Sequence, residues 1–582
     1  MSIIRTFIKR YVLRYRAWYV GGLLALLATN ALAVTIPWAL AHAFDTLDPS
    51  GNGGWVGRWI LTIIGAAIGL MIVRTASRMA LFVPGREAEC ELRTDYFRQL
   101  MHQSASFFRQ MPSGDLLSRG SNDVQFIRAL IGFAGLQILN LLFALPFNIV
   151  MMAKTSGWLT IGCIAPLFLA VFVMWGSVRS MMSAMRQSQE ELATLSDEVL
   201  EVYSGVRVVQ AFGAEEAMAA RVAERNDRYV AVLLRMAKLR SFLLPIVQVV
   251  GSIAIVVLIG YGGRLVARGT LHYGELSAFS VYVSNIVSAF TGLGWVLSVF
   301  QRGQISLERV FAVLDAPTEG AGGGDAPLPA GPLGLSVRDL TFTYPVTGKD
   351  PSLQSVSFDV PAGGTLGLFG TTGSGKTTLL RLFSRLDDPP PGTVFLGGVD
   401  VLDATPATLR ATMAVVPQTS YLFSRTLRQN VEMGGPPGTA SVEAAVGSAG
   451  LASDLGALGQ GLDTLVGERG VTLSGGQRQR TALARAFYRL ESLGPQGRVL
   501  LLDDVLSAVD HDTERRLVDE LLGRSAGRTT VIVSHRVSAL RRVDHVIVLE
   551  AGRVVEQGHP DTLIATGGLF AEACRLSEQA AA

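Results

Sequence analysis

The chain has 582 residues, enough for about three or four domains of ordinary size. Apolar residues make up 49% and charged residues only 17%, against about 25% charged in soluble globular domains, so neither a disordered chain nor a wholly soluble enzyme fits. A formal charge of +3, from 51 basic and 48 acidic residues, gives no basic excess of the kind nucleic acid selects, and three distant cysteines, Cys90, Cys163 and Cys574, allow no disulfide framework or CxxC metal spacing.

The apolar residues concentrate in the first 300 positions. A bilayer needs about 20 predominantly apolar residues per helix. Six runs qualify: Ala17–Phe44, Trp59–Ile72 continuing past Arg74 and Arg78 to Val83, Ile131–Met152, Trp158–Trp175, Phe242–Tyr261 and Leu276–Phe300. Arg5, Lys9, Arg10, Arg14 and Arg16 precede the first run, whereas the loop near Asp45–Trp55 carries Asp45 and Asp48 and no Lys or Arg. The positive-inside rule then places the N-terminus in the cytoplasm, and an even number of spans returns the chain there. The two long charged links, about 84–130 and 176–240, face the same side. They read as helices continuing the spans, and Arg179–Tyr203 contains no Pro or Gly. Ala41-His42-Ala43 after an apolar run resembles a secretory cleavage site, but the run exceeds the roughly 7–15 residues of a signal core and reads as a retained span. Arg74 and Arg78 read as snorkelling or exposed arginines, with an anionic substrate group as the sharper alternative.

Residues 316–334 are rich in Gly and Pro and mark a linker between a membrane domain, 1–315, and a second domain, 335–582. Strand-like runs follow: Leu335–Tyr344 alternates, then come Ser355–Val360, Thr365–Phe369, Val499–Leu502 and Thr530–Val533. The third leads into Gly370-Thr371-Thr372-Gly373-Ser374-Gly375-Lys376-Thr377-Thr378 and then a helical stretch, Leu379–Leu386. This is G-x-x-x-x-G-K-[ST] in its strand–loop–helix setting: backbone N–H groups close on phosphate oxygens, Lys376 reaches the β/γ-phosphates and Thr377 binds Mg²⁺. Lys376 is one of only five lysines in the chain, so the match is specific. The apolar run Val499–Leu502 ends in Asp503, suited to Mg²⁺, and Asp504, suited to orienting an attacking water. His535 follows Thr530–Ser534 and reads as a γ-phosphate contact at a strand end.

Leu473-Ser474-Gly475-Gly476-Gln477 lies between these motifs and opens a helix. With it, the whole chain resembles an ABC transporter subunit of the exporter type: an all-α six-helix transmembrane domain with long cytoplasmic helix extensions, then an α/β P-loop ATPase domain. The resemblance implies that Tyr344 stacks on adenine and that Gln418 is the Q-loop residue sensing Mg²⁺. Ser474–Gln477 are then the signature, Ser507–Asp510 the D-loop and His535 the switch histidine. Regions 112–124 and 205–216 match the coupling regions, and Val466–Gly470 the exporter loop before the signature. It further implies ATP and Mg²⁺ as ligands, a cell-membrane location, and a dimer in which each signature completes the other chain's phosphate site.

The family usually carries Glu after the Mg²⁺ aspartate, and here the residue is Asp504, one methylene shorter. Heterodimers with one weak and one competent site are the precedent, so the expected partner is a second half-transporter that supplies the glutamate, with a homodimer as the alternative. The expected activity is export of drugs, lipids or peptides of amphipathic character. Import of a chelated ligand and an ATP-gated channel or sensor are the competing readings. A channel should show a polar stripe along one span, and Asn140, Asn148 and Asn285 read instead as scattered helix-packing residues.

Overall fold

A computed structural model describes residues 2–47, 56–291, 293–321, 323–344, 350–456, 458–467, 470, 472–506 and 511–581. Residues 507–510, expected to form the D-loop, lie outside them, as do 468 and 469 of the exporter loop and 48–55 of the loop expected near Asp45–Trp55. The chain forms two compact units, Met1–Arg98 with Leu116–Asp315, and Gln99–Asp115 with Ala316–Ala582.

The first unit is helical. Its long helices are α1 (Arg16–Leu47), α2 (Val56–Met101), α3 (Gly135–Thr155), α4 (Gly157–Ser204), α5 (Glu215–Val257), α6 (Tyr273–Thr291) and α7 (Leu293–Leu314). Three described helical runs, Ile3–Thr46, Val56–Met101 and Ser113–Thr155, are long and apolar enough to cross a membrane, and Gly157–Pro166 and Ser252–Ala267 are shorter apolar helices. Helical backbone also covers the described residues of the remaining apolar runs expected to span. α1 to α5 each contain a proline, which removes one intrahelical hydrogen bond; membrane helices tolerate this where neighbouring groups or local adjustment satisfy the freed carbonyl. α4 runs without a break through Arg179–Tyr203, as the absence of Pro and Gly there requires.

Polar side chains fix the helix ends. Before α1, Tyr11 and Arg10 both bond Asp95 on α2 at 2.9 Å, and Arg14 pairs with Glu91 at 2.8 Å. Arg221 on α5 pairs with the buried Glu198 on α4 at 2.6 Å. Asp123, also buried, accepts from Ser306 at 2.8 Å and pairs with Arg309 at 3.0 Å, both on α7.

The second unit carries two sheets. The antiparallel sheet has the order β2-β1-β4-β5, with β1 Leu335–Phe342, β2 Leu353–Val360, β4 Val394–Leu396 and β5 Val399–Asp400. The larger sheet has the order β10-β9-β3-β8-β7-β6, built from β3 Thr365–Gly370, β6 Met413–Val416, β7 Val499–Asp503, β8 Thr529–Val533, β9 His545–Glu550 and β10 Arg553–Gly558. All but β10 in that sheet pair in parallel. The five strands expected from sequence all form, with ends within two residues of the expected ones. The runs of β7 and β8 are buried on both faces, as a covered parallel sheet demands, whereas β1 and β2 alternate buried with exposed. The helix after the phosphate loop, α8, spans Lys376–Phe383, starting three residues earlier than the apolar pattern indicated because the loop's last residues already turn.

The linker belongs to the second unit. Gly324 N donates to Leu402 O and Ala326 N to Asp403 O at 3.1 and 2.8 Å, and Glu319 forms a two-pronged pair with Arg410.

Candidate functional site

The register of the parallel sheet assembles the site. Leu368 on β3 and Asp503 on β7 are both opposite Val533 on β8, so the C-terminal ends of three strands lie side by side. β6 ends beside Leu502 and leads to Gln418. Ligands in such sheets bind outside the strand C-termini. A cavity of about 210 Å³ lies there, lined by Thr372, Gly373, Gly375, Lys376, Thr377, Thr378, Gln418, Asp503, Asp504 and His535, with Ser352 and Val533. Ten of these twelve are residues that the motifs singled out; Val533 ends an expected strand, and Ser352 carries no sequence signal.

The loop fits a phosphate chain. Gly373 and Gly375 have φ of +85° and +103°, left-handed values that L side chains rarely adopt. At Gly375 a Cβ would also fall 2.6 Å from Leu353 Cδ2. Lys376 Nζ donates to Gly370 O at 2.9 Å, Thr371 O at 2.7 Å and Ser374 Oγ at 3.3 Å, so the ammonium is held on the loop's own carbonyls. Burial pushes its pKa down, opposed by the charges of Asp503 and Asp504.

Asp503 is buried, and burial pushes its carboxyl above the usual range, aided by the Asp504 charge; a Thr377 hydrogen bond, Lys376 and His535 work the other way. Among the described residues, its Oδ1 has no hydrogen-bond partner although it is buried. A buried carboxylate oxygen without a donor, in a cavity also lined by Thr377 and Gln418, offers with them a hard-oxygen donor set that fits Mg²⁺. Asp504 is buried too, with φ +49°, and its N–H donates to Val533 O at 3.0 Å. Gln479, which the motif reading did not single out although it lies two residues past the signature, donates from Nε2 to Asp504 O at 2.6 Å.

Tyr344 does not line the cavity. Its hydroxyl donates to Thr378 Oγ1 at 3.2 Å, and the Arg109 guanidinium lies 5.0 Å from its ring centre. Ser474–Gln477 stand apart from the cavity as well. Ser474 caps α9 (Gly475–Leu493): its Oγ accepts from Gln477 N at 3.2 Å and Gln477 Oε1 accepts from Ser474 N at 3.0 Å. Ser474 and Gly475 are exposed, and the first-turn N–H groups of Gly475 and Gly476 have no partner within the helix.

Comparison with known proteins fits this geometry. Residues 19–290 match the ABC transporter transmembrane region and residues 353–507 the ABC transporter family. The chain is 31% identical over 576 residues to the multidrug resistance-like ATP-binding protein MdlA of Escherichia coli, covering 97% of this chain and 96% of the relative. The chain belongs to the ABC transporters. Further relatives of this ABC transporter chain are a probable multidrug resistance ABC transporter ATP-binding/permease protein, YheI, of Bacillus subtilis, 33% identical over 97% of this chain and 95% of its own, and an ATP-dependent lipid A-core flippase of Burkholderia orbicola, 32% identical over 93% and 89%. A solved bacterial Atm1-family ABC exporter with ATP bound superposes with a TM-score of 0.82 at 25% identity, covering 97% of this chain and 99% of that one. This ABC exporter half-transporter therefore joins an N-terminal transmembrane domain to a C-terminal ATPase domain that binds ATP and couples its hydrolysis to transport, and exporters of this type act as dimers in the membrane.

The membrane unit corrects one expectation. The asparagines expected to be scattered converge: Asn30 Nδ2 donates to Asn140 Oδ1 at 3.2 Å and Asn285 Nδ2 to Asn148 Oδ1 at 3.3 Å. Gln137, Asn140, Ala144 and Asn148, spaced three or four apart, line one cavity with Asn30, Asn285 and Arg74. One-dimensional reading missed this because α1, α3 and α6 contribute separately, and because Gln137 completes a polar face on α3 only at helical spacing.

Proposed function

We propose that this chain exports small amphipathic compounds across the cell membrane as one half of a heterodimer, with its N-terminus and ATPase domain in the cytoplasm. The observation that carries the reading is the single cavity that gathers the phosphate loop, Asp503, Asp504, Gln418 and His535. The multidrug and lipid-flipping names of its relatives support amphipathic cargo.

In this reading the loop N–H groups hold the phosphate oxygens. Lys376 leaves Gly370 O and Thr371 O and turns to the β/γ-phosphates. Thr377, Gln418 and Asp503 would hold Mg²⁺, which would supply charge that neutralises the phosphate oxygens. Asp504 orients the attacking water and accepts its proton, and His535 donates to the γ-phosphate. The first-turn N–H groups at Gly475 and Gly476 complete the partner's site, so bound ATP draws the two ATPase domains together and shifts the membrane halves outward. The exposed Val208 and Phe212 on and after the helix Val206–Ala211 support a docking role for the second coupling region.

Asp504 in place of Glu supports a slow site in this chain and a competent one built on its signature. Inside-out vesicles holding the transporter and its partner should accumulate a fluorescent amphipathic dye only with ATP, and Lys376→Ala should abolish accumulation. Movement in the reverse direction would instead favour an importer, and downhill flux without hydrolysis a channel.

A further inference from the structure

His535 follows the end of β8, and the residues around it are pinned one by one. Val533 O accepts from Asp504 N at 3.0 Å, and Ser534 N donates to Leu368 O at 3.3 Å. Ser534 Oγ accepts from Arg536 N at 2.9 Å. The Arg536 guanidinium pairs with one oxygen of Glu514, and the Ser538 hydroxyl donates to the other. Glu514 lies on α10 (His511–Ser525), 22 positions before Arg536, and does not line the nucleotide cavity. His535 itself is exposed and lines that cavity, and among the described residues no hydrogen bond holds its ring.

Cohesion does not account for Glu514. Leu517, Val518 and Leu521 of α10 share one buried apolar cluster with Val537 and Leu540, so the helix and the segment after His535 are already joined without a charge. Glu514 is only 2% exposed, and taking a carboxylate out of water costs more than cohesion alone repays. An apolar residue of similar volume would serve packing as well. What the carboxylate adds is direction. Its two oxygens hold positions 536 and 538, just beyond His535, in a charge-assisted geometry that tolerates little displacement. A histidine whose backbone is anchored on both flanks presents its ring at one place.

We infer that Glu514 is the positioning residue for His535: through Arg536 and Ser538 it fixes the loop so that the histidine ring meets the γ-phosphate of bound ATP. The inference rests on the reading of His535 as the γ-phosphate contact. Glu514 touches neither the nucleotide nor the reacting atoms, and it acts only through the histidine. ADP lacks the γ-phosphate, so Glu514 matters for ATP and not for ADP. A hydrogen bond to a charged acceptor depends on distance and angle, and a displaced ring loses that contact while the phosphate loop keeps the others.

The test is calorimetric titration of the full-length chain in nanodiscs with the non-hydrolysable ATP analogue AMP-PNP and with ADP, both with Mg²⁺, read as the ratio of the two affinities. His535→Ala should lower the ratio about tenfold. Glu514→Gln should lower it roughly fivefold with ADP affinity unchanged, which also shows that the variant is folded. Glu514→Asp keeps the charge and should fall between Glu514→Gln and the unsubstituted chain. Ser538→Ala, at an exposed position, removes one of the two bonds and should cost about twofold, a measurement that stands even where Glu514→Gln does not fold. In the His535→Ala background, Glu514→Gln should change the ratio no further, because residues that act through one another are not additive. A ratio unaltered in folded Glu514→Gln, an unaltered ratio in Ser538→Ala where Glu514→Gln does not fold, or a further fall in the double variant overturns the inference and leaves the reading of His535 standing. A ratio unaltered in His535→Ala overturns that reading, and the inference with it.

Discussion

Gln479 Nε2 lies 2.6 Å from the backbone carbonyl of Asp504, and both residues are buried. Gln479 sits one turn along the helix that Ser474 caps, so the helix presenting the signature also holds the backbone of the carboxylate beside the phosphate loop. Asp504 has φ +49°, a left-handed conformation that an aspartate keeps only when its surroundings fix it, and its N–H is held at the other end by Val533 O. In the proposed dimer the signature and Asp504 of one chain serve different ATP molecules, and this bond would tie one site to the other.

Losing a buried hydrogen bond costs about 1–3 kcal/mol, and a small displacement of a catalytic group costs rate rather than binding. Gln479→Leu should therefore lower ATP turnover of the assembled transporter roughly tenfold with the KM for ATP changed less than about twofold. Gln479→Glu keeps the shape but sets a carboxylate against a carbonyl, and should be at least as damaging. Steady-state ATPase measurements decide; a variant that changes KM and spares kcat would show that the bond does not position Asp504.

Asp503 yields a pH prediction. Burial first, then the Asp504 charge, raises its pKa above the ordinary carboxylate range. The native state thus holds this proton more tightly than an unfolded chain, and stability falls as pH rises from the ordinary carboxylate range through the raised value. Asp503→Asn removes that loss. The variant should melt at a higher temperature than the unsubstituted chain at neutral pH without nucleotide, converge with it in acid, and hydrolyse no ATP. Lys376 works in the opposite direction, since its lowered pKa makes stability rise with pH below the ordinary lysine range. A lower melting temperature for Asp503→Asn at neutral pH would show that the carboxylate's partners outweigh its burial.

The ATPase unit was legible because its signals are local. A buried strand, a glycine turn and a helix start lie within a dozen residues of one another around Lys376, and the apolar run ending at Asp503 states its own strand. What the sequence leaves unread depends on register between distant segments. Ser352 reaches the cavity only because β2 follows it beside the phosphate loop. Asn30, Asn140, Asn148 and Asn285 look scattered along three helices until their faces are turned together. The Arg109 contacts join a segment of the first long link to residues more than 200 positions away, beyond any periodicity.

Asp504 sets the expected division of labour. Its carboxylate reaches one methylene less far than a glutamate, and a displacement of about 1 Å can cost roughly a hundredfold in rate. Asp504→Glu should raise ATPase of the purified chain alone by about tenfold or more. Brisk hydrolysis by the unsubstituted chain alone, lost in Asp504→Ala, would instead establish a homodimer in which the aspartate suffices.

Asp387 ties the first link to the nucleotide site. Its carboxylate is only 3% exposed and accepts from Arg381 Nε on α8 at 2.7 Å, while Arg109 pairs with both of its oxygens. Arg109 belongs to the short helix Ala105–Gln110 within the second unit, and the same guanidinium covers one face of Tyr344. A buried carboxylate stripped of one of two cationic partners is destabilising, and because Arg109 is one-third exposed the cost is at the low end, about 1–2 kcal/mol. Arg109→Ala should lower the melting temperature accordingly and raise the KM for ATP about twofold, since the tyrosine loses the cation that orients its ring. Arg109→Lys restores charge without the planar fork and should fall between the two. Thermal melts of the three proteins measure the first effect and steady-state ATPase assays the second. Equal melting temperatures for Arg109→Ala and the unsubstituted chain would mean that Arg381 alone satisfies Asp387 and that the first link contributes nothing to the stability of the phosphate-loop helix.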